Sequence, residues 1–199
     1  MGLSSAASVG LAGLPVRRYG DPMFDLIDYL FAFLIAAVPV QHHRYAEPVE
    51  RTLARYSSIA QDIATVALDP SEAPVYEGPD ARAKTAVLLA SIAASESFLR
   101  ADVDSCKAKG DGGKSATIFQ LQNAPSSVCT DRQEATRLAL ARVRQSLDSC
   151  RKQPPAERLS LYASGRCDRG QKASRYRWTR AERWTSTHPV IDPDELDMY

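Results

Sequence analysis

Glu96 is the residue whose surroundings point most directly at chemistry. It lies in LLASIAASESFLR, residues 88 to 100, and no other acid falls between Lys84 and Arg100. An apolar, Ala-rich helix precedes it and Phe98 and Leu99 follow, so its carboxyl can be withdrawn from water. Desolvation raises a carboxyl pKa toward neutrality and makes the group a usable general acid. A solvent-facing Glu at a helix end is the plainer alternative, and the commoner fate of this residue type. Three more carboxylates, Asp102, Asp104 and Asp111, follow in the next loop. Other chemistries find less support. The string GDGGKSA, residues 110 to 116, lacks the spacer and the preceding strand of a phosphate-binding loop. His42, His43 and His188 have no ligand-like spacing and read as surface residues, so neither a metal nor another cofactor is expected.

The elements that must position Glu96 are helical. A chain of 199 residues with 44% hydrophobic and 25% charged residues is long and apolar enough for one domain with a real core. Its net charge of +1 offers no overall field for nucleic acid or a membrane, so any such interaction must be local. Residues 1 to 22 are rich in Ser, Ala, Gly and Pro and read as a flexible arm. The apolar run that follows, residues 29 to 40, is too short for a comfortable membrane span and has acids where a signal peptide needs basic residues. An atypical signal or anchor, a hydrophobic arm docking on a membrane or virion protein through residues 23 to 40, and an ordinary buried helix all remain open.

Val49, Leu53, Tyr56, Ile59, Ile63 and Val66 define one face of a helix over residues 48 to 68. The Pro-rich DPSEAPVYEGP breaks the chain before a second helix, which starts near Asp80 and runs to about Ser97. Gly110, Gly112 and Gly113 rule out a helix in the next segment, while TIFQLQ has strand character. A third helix is predicted from Thr130, with Gln133 completing a capping box. A fourth starts at Pro154 and Pro155 and stops at Gly165, and a fifth covers residues 174 to 184. The tail from residue 186 to 199 is acidic and reads as loose. The fold class is mainly α, with one small Gly-rich, β-like insertion.

Cys106, Cys129, Cys150 and Cys167 contain no CxxC pair, which excludes a zinc ribbon. Sequential pairing, Cys106 with Cys129 and Cys150 with Cys167, closes two loops of moderate length, each stabilising by roughly 3 kcal/mol. Four reduced thiols in a cytosolic protein are the alternative.

ASESFLR, a Gly-rich loop, SATIFQLQ and then LSLYASG, taken in that order, resemble the goose-type lysozyme and lytic transglycosylase superfamily. The family pattern is a helix ending in Glu-Ser-x-aromatic, then Gly-Ala-x-Gly-Leu-Met-Gln, then Ala-Tyr-Asn-x-Gly. Order and approximate spacing agree over about residues 80 to 180. Glu96 takes the place of the catalytic acid and Ser97 that of its neighbour. Ile118, Phe119 and Gln120 stand for Leu-Met-Gln, and Tyr162 and Gly165 for the last motif. Thr117 replaces a motif glycine, and Ala163 and Ser164 replace Asn-Ala.

The resemblance implies an α+β lysozyme-like catalytic domain over residues 46 to 185, between an arm with its hydrophobic segment (1 to 45) and the tail (186 to 199). It implies cleavage of the β-1,4 bond between N-acetylmuramic acid and N-acetylglucosamine in peptidoglycan glycan strands, outside the cytosol or from a phage particle. Glu96 would protonate the leaving oxygen as an oxocarbenium-like centre develops. A transglycosylase reuses it as the base toward the muramoyl 6-hydroxyl. A hydrolase needs a second carboxylate, for which Asp104 and Asp111 are the first candidates. Gln120 would hold a sugar N-acetyl or hydroxyl group, with Ser97 and Ser115 also toward substrate. Tyr162 would orient Glu96 or support a sugar ring. Ile118 and Phe119 read as core. The altered Thr117 and Ala163 positions favour the alternative function, a non-catalytic wall-binding or virion protein that keeps the fold.

One further feature is the basic run Arg166, Arg169, Lys172, Arg175, Arg177, Arg180 and Arg183, interleaved with Tyr176, Trp178 and Trp184. It would suit anionic wall polymers, or be a solvated helix face with Arg stems over aromatic rings. Nucleic acid is the weakest partner, because no RNA-binding motif or zinc finger accompanies the run.

Overall fold

The computed structural model describes residues 22–189, and its centre is a helix buried all round. Among these residues the chain forms α1 (Pro22–Ala37), α2 (Val49–Leu68), α3 (Ala81–Ser97), α4 (Ala101–Asp104), β1 (Ser115–Ala116), β2 (Leu121–Gln122), α5 (Arg132–Ser149), α6 (Ser160–Ser164) and α7 (Gln171–Thr187). The protein is mainly helical, as its periodicity predicts. The expectations for residues 1 to 21 and for the tail beyond residue 189 lie outside the described residues.

α3 packs against α1, α2, α5 and α7. Its Ala-rich composition follows from that position. Every residue from Thr85 to Ala94 is buried, and small side chains let neighbouring helices approach from several sides. α2 uses the predicted face, with Tyr56, Ile59, Ile63 and Val66 all at 0% exposure, although Val49 at its start is exposed.

Of the three readings of the first hydrophobic segment, the structure fits the buried helix. Leu26, Leu30, Phe33 and Leu34 recur at helical spacing and sit in the common core. Phe33 meets Trp184 edge-on at 5.4 Å, which ties α1 to α7. Through these side chains α1 shares the core of the helical domain. Among the described residues, no helix is long and apolar enough to cross a membrane.

The β-like insertion is smaller than TIFQLQ predicts. Only two residues pair on each side, Ser115 with Gln122 and Ala116 with Leu121, in an antiparallel hairpin. Thr117 to Gln120 make the turn, closed by a 3.0 Å hydrogen bond from the Gln120 amide to the Thr117 carbonyl. A turn lets the consecutive Ile118 and Phe119 both enter the core, which a strand's alternation forbids.

The start of α5 also moves by one residue. Asp131, not Thr130, is the cap, and its carboxylate accepts the Glu134 backbone N–H at 2.9 Å. The fourth predicted helix resolves into a 3-10 turn, Pro155–Glu157, and then α6, which Gly165 ends in the left-handed conformation. The disulfides follow the sequential pairing, Cys106 with Cys129 and Cys150 with Cys167. His43 departs from its expected surface position. It is 5% exposed and shares a 2.9 Å hydrogen bond with the Tyr56 hydroxyl, which donates to the Val38 carbonyl.

Candidate active site

Glu96 occupies the last turn of α3, where the chain must leave the core. Phe98 ends the helix in the left-handed region (φ 50°), and Leu99 follows at φ 53°. Two contacts hold this strained exit. Ser97 Oγ donates to the Ala93 carbonyl at 2.8 Å and accepts the Leu99 amide at 3.0 Å. Arg55 donates to the Leu99 carbonyl and pairs with Glu47. Ser97 is thus a buried helix-end brace and does not face substrate, contrary to the role carried over from the resemblance.

Beyond Glu96 lies a cleft of about 500 Å³, lined also by Asp111, Gln120, Gln122, Asn123, Arg142, Gln145 and Tyr162. Four separate segments of the chain converge here. α3 supplies Glu96 and the hairpin region supplies Asp111 and Gln120. α5 supplies Arg142, and α6 supplies Tyr162.

Glu96 Oε1 is 2.6 Å from Nη2 of Arg177, which projects from α7. Burial pushes the Glu96 carboxyl above its ordinary value. The Arg177 charge opposes that rise and Asp111 adds to it, so the net direction is upward. Arg177 is only 7% exposed, and its Nε and Nη1 have no hydrogen-bond partner among the described residues.

Asp111 stands in the opposite environment. It is exposed, and it accepts hydrogen bonds from Ser115 Oγ at 2.7 Å and from Gln122 Nε2 at 3.0 Å. These bonds favour the ionised form and pull its carboxyl below the usual range. Ser115 is fully buried, so it positions Asp111 and does not reach substrate as expected.

Asp104, the other candidate for a second carboxylate, does not line this cleft. Arg132 binds both its oxygens at 2.9 Å and also holds Asp62, in a cluster outside the cleft. Asp102 pairs with Arg100 at the surface.

Gln120 lines the cleft. Its Nε2 donates to the Thr117 carbonyl at 3.0 Å, and its Oε1 lies over Gly110, where any Cβ would come within 2.1 Å. Tyr162 also lines the cleft, yet its hydroxyl does not orient Glu96. It donates to the Phe119 carbonyl at 2.8 Å, joining α6 to the hairpin turn. Burial and the neighbouring Glu96 push this phenol well above its ordinary pKa, so it stays a neutral donor.

The basic run does not form one surface. Arg177 and Arg180 turn inward, the latter onto Ser91 and Ser95 of α3, while Arg175 pairs with Glu157 and Arg166 with Asp168. Arg177 was legible by another route. Ser174, Arg177, Trp178 and Ala181 recur at helical spacing and are the buried face of α7. Among the polar residues that line the cleft, sequence reasoning missed Arg142, Gln122, Asn123 and Gln145.

No family model, curated protein or solved structure matches this chain.

Proposed function

We propose that this cleft cleaves a glycosidic bond, with Glu96 as the general acid. One observation carries the reading. Two carboxyl groups line one polar cleft, and their surroundings push them in opposite directions, Glu96 upward by burial and Asp111 downward by two hydrogen bonds. Such a division favours the proton on Glu96 and the charge on Asp111, the assignment of roles that glycoside hydrolysis uses.

The resemblance to lysozymes and lytic transglycosylases narrows the substrate to the muramoyl-β-1,4-glucosamine bond of peptidoglycan. Three features support it. Glu96, Gln120 and Tyr162, one from each motif, line the same cleft. Thr117, where the motif has glycine, adopts φ 64°, the left-handed conformation that glycine takes most readily. Two disulfides suit an oxidising, extracytoplasmic setting, in the envelope or on a phage particle.

In the reaction Glu96 gives its proton to the leaving oxygen while positive charge develops at the ring. Asp111 stabilises that charge and directs water in a hydrolase. In a transglycosylase the muramoyl 6-hydroxyl attacks instead, and Glu96 takes its proton. Amide side chains of Gln120, Gln122 and Asn123 offer both donors and acceptors to N-acetyl groups.

A second reading rests on the Glu96–Arg177 pair, which joins α3 to α7 whether or not any reaction occurs. A non-catalytic wall-binding protein would keep it for that reason. The test is digestion of isolated murein by the oxidised protein and by Glu96→Gln, with mass spectrometry of released muropeptides. Release of anhydromuramoyl ends or reducing ends, lost in the variant, is expected. The end chemistry identifies transglycosylase or hydrolase, and no release by folded wild-type protein overturns the enzymatic reading in favour of the second.

A further inference from the structure

Four arginines of α5 offer an internal comparison. Arg132 pairs with Asp62 and Asp104, Arg137 with Asp69, and Arg144 with Glu72. Arg142 has no carboxylate partner among the described residues. Its Nη2 donates to the Gln122 carbonyl at 2.7 Å, which fixes the guanidinium plane against β2, and no other nitrogen of the group bonds to a described residue. It lines the cleft that also holds Glu96 and Asp111.

From this arrangement we propose that Arg142 selects substrates that carry a carboxylate beside the sugar backbone. The inference rests on the glycosidic reading of the cleft and adds a substrate class to it. An anionic substituent is repelled wherever it meets Asp111, and Arg142 offers the one place on the lining where that charge is welcomed. A planar guanidinium already anchored through one nitrogen loses little freedom when its remaining N–H groups bind a carboxylate. The amide side chains around it are neutral, so they hold sugars of either kind. Arg142 is therefore a specificity residue and takes no part in bond cleavage.

The carboxylate can come from the lactyl ether of a muramoyl residue or from a peptide attached to it, and three probes separate these sources. The first is the glucosaminyl–muramic acid disaccharide with its lactyl carboxylate free. The second is the same disaccharide bearing an L-Ala–D-Glu dipeptide, in which the lactyl carbonyl is an amide. The third is neutral chitobiose. NMR titrations use the full-length oxidised protein, Arg142→Gln and Arg142→Lys, all of which keep the buried core intact.

Arg142→Gln is expected to weaken at least one anionic probe by about tenfold, as loss of a charged hydrogen bond does, while chitobiose binding changes less than about twofold. Arg142→Lys restores part of the difference, and added salt diminishes it, neither of which follows from a purely structural role. Loss confined to the first probe assigns the lactyl group, and loss confined to the second assigns the peptide. Equal weakening of all three probes, or of none, overturns the selectivity while leaving glycan binding in place. If the wild-type protein binds none of the probes, both the selectivity and the glycosidic reading fail.

Discussion

Arg132 and Arg177 each hold half-buried carboxylates, and they do so to different ends. Arg132 uses Nε and Nη2 on Asp104 and Nη1 on Asp62 and Ser58, so its donors are met and three helices, α2, α4 and α5, are clamped together. Arg177 pairs through Nη2 with Glu96, while its buried Nε and Nη1 have no hydrogen-bond partner among the described residues. A completed network rigidifies, whereas unmet donors in a low-dielectric setting are costly and call for a reason. The Arg132 cluster is what a stability device looks like. The Arg177 centre carries a carboxyl pushed upward beside a cleft, a local expense consistent with a site shaped for something besides stability.

Substitutions at the two centres sharpen this contrast. The largest effect is expected from Glu96→Gln, which removes the proton donor and should lower murein cleavage by roughly 10²- to 10⁴-fold. Asp104→Asn, assayed in parallel, should leave the specific activity of the folded protein near wild type. Next comes Arg132→Met, which strands two carboxylates. Its side chain is 24% exposed, so water screens part of the loss, and urea unfolding should show about 2 kcal/mol of destabilisation, less than a fully dry pair would give. Its kcat on soluble substrate should be unchanged. A fall in kcat without a fall in stability would erase the distinction between the centres.

The pH profile gives a third comparison. In the proposed reaction Glu96 acts while protonated, so activity should decline as pH rises through its pKa in the folded protein. The Asp111 charge raises that pKa, so Asp111→Asn should move the alkaline limb to lower pH in whatever activity remains. The Arg177 charge lowers it, so Arg177→Met should move the same limb to higher pH. Limbs that stay fixed in both variants would mean that Glu96 does not set the profile. The smallest effect belongs to Gly110→Ala. Its Cβ would displace the Gln120 carboxamide and raise KM by roughly fivefold, about the net worth of one hydrogen bond. Thermal stability should barely change, because Gly110 has a backbone conformation open to alanine.

Much of the helical frame was legible because local periodicity carries it. The 3.6-residue spacing from Tyr56 to Val66 marks α2 before any tertiary contact is known. Sequential disulfides followed from loop lengths alone. Three features were hidden for physical reasons. α1 is apolar on enough of its surface to pass for an anchor, and only its partners Trp184 and α2 and α3 reveal a core helix. The hairpin register could not be read from TIFQLQ, since β-propensity describes burial as well as extension, and here the burial is in a turn. The α7 spacing marks Arg177 as inward-facing, but its pairing with Glu96 was hidden because that carboxylate is 81 residues earlier in the chain (177 − 96). Pairing over such distances leaves no local mark. The site residues carried over from the resemblance divided in the same way. Glu96, Asp111, Gln120 and Tyr162 line the cleft, whereas Ser97, Ser115 and Asp104 have local bonding duties elsewhere.

The bridge between Cys106 and Cys129 encloses Asp111, Gln120, Leu121, Gln122 and Asn123, the whole of the lining that comes from the hairpin side. Because the two ends of that strip are fastened to each other, it is a replaceable cassette on a helical chassis. Its buried residues, Ile118, Phe119 and Leu121, must stay to hold it on the core, but its exposed stretch from Asp111 to Lys114 can be lengthened or exchanged at a small entropic cost, since closing a longer loop adds only about 0.6 kcal/mol per doubling of length. The acid on α3 stays put while that exposed stretch varies, and the guanidinium on α5 stays with it as long as β2 keeps the Gln122 carbonyl in place. An engineer, or a lineage under selection, could therefore retune what this cleft accepts by editing one tethered segment and nothing else.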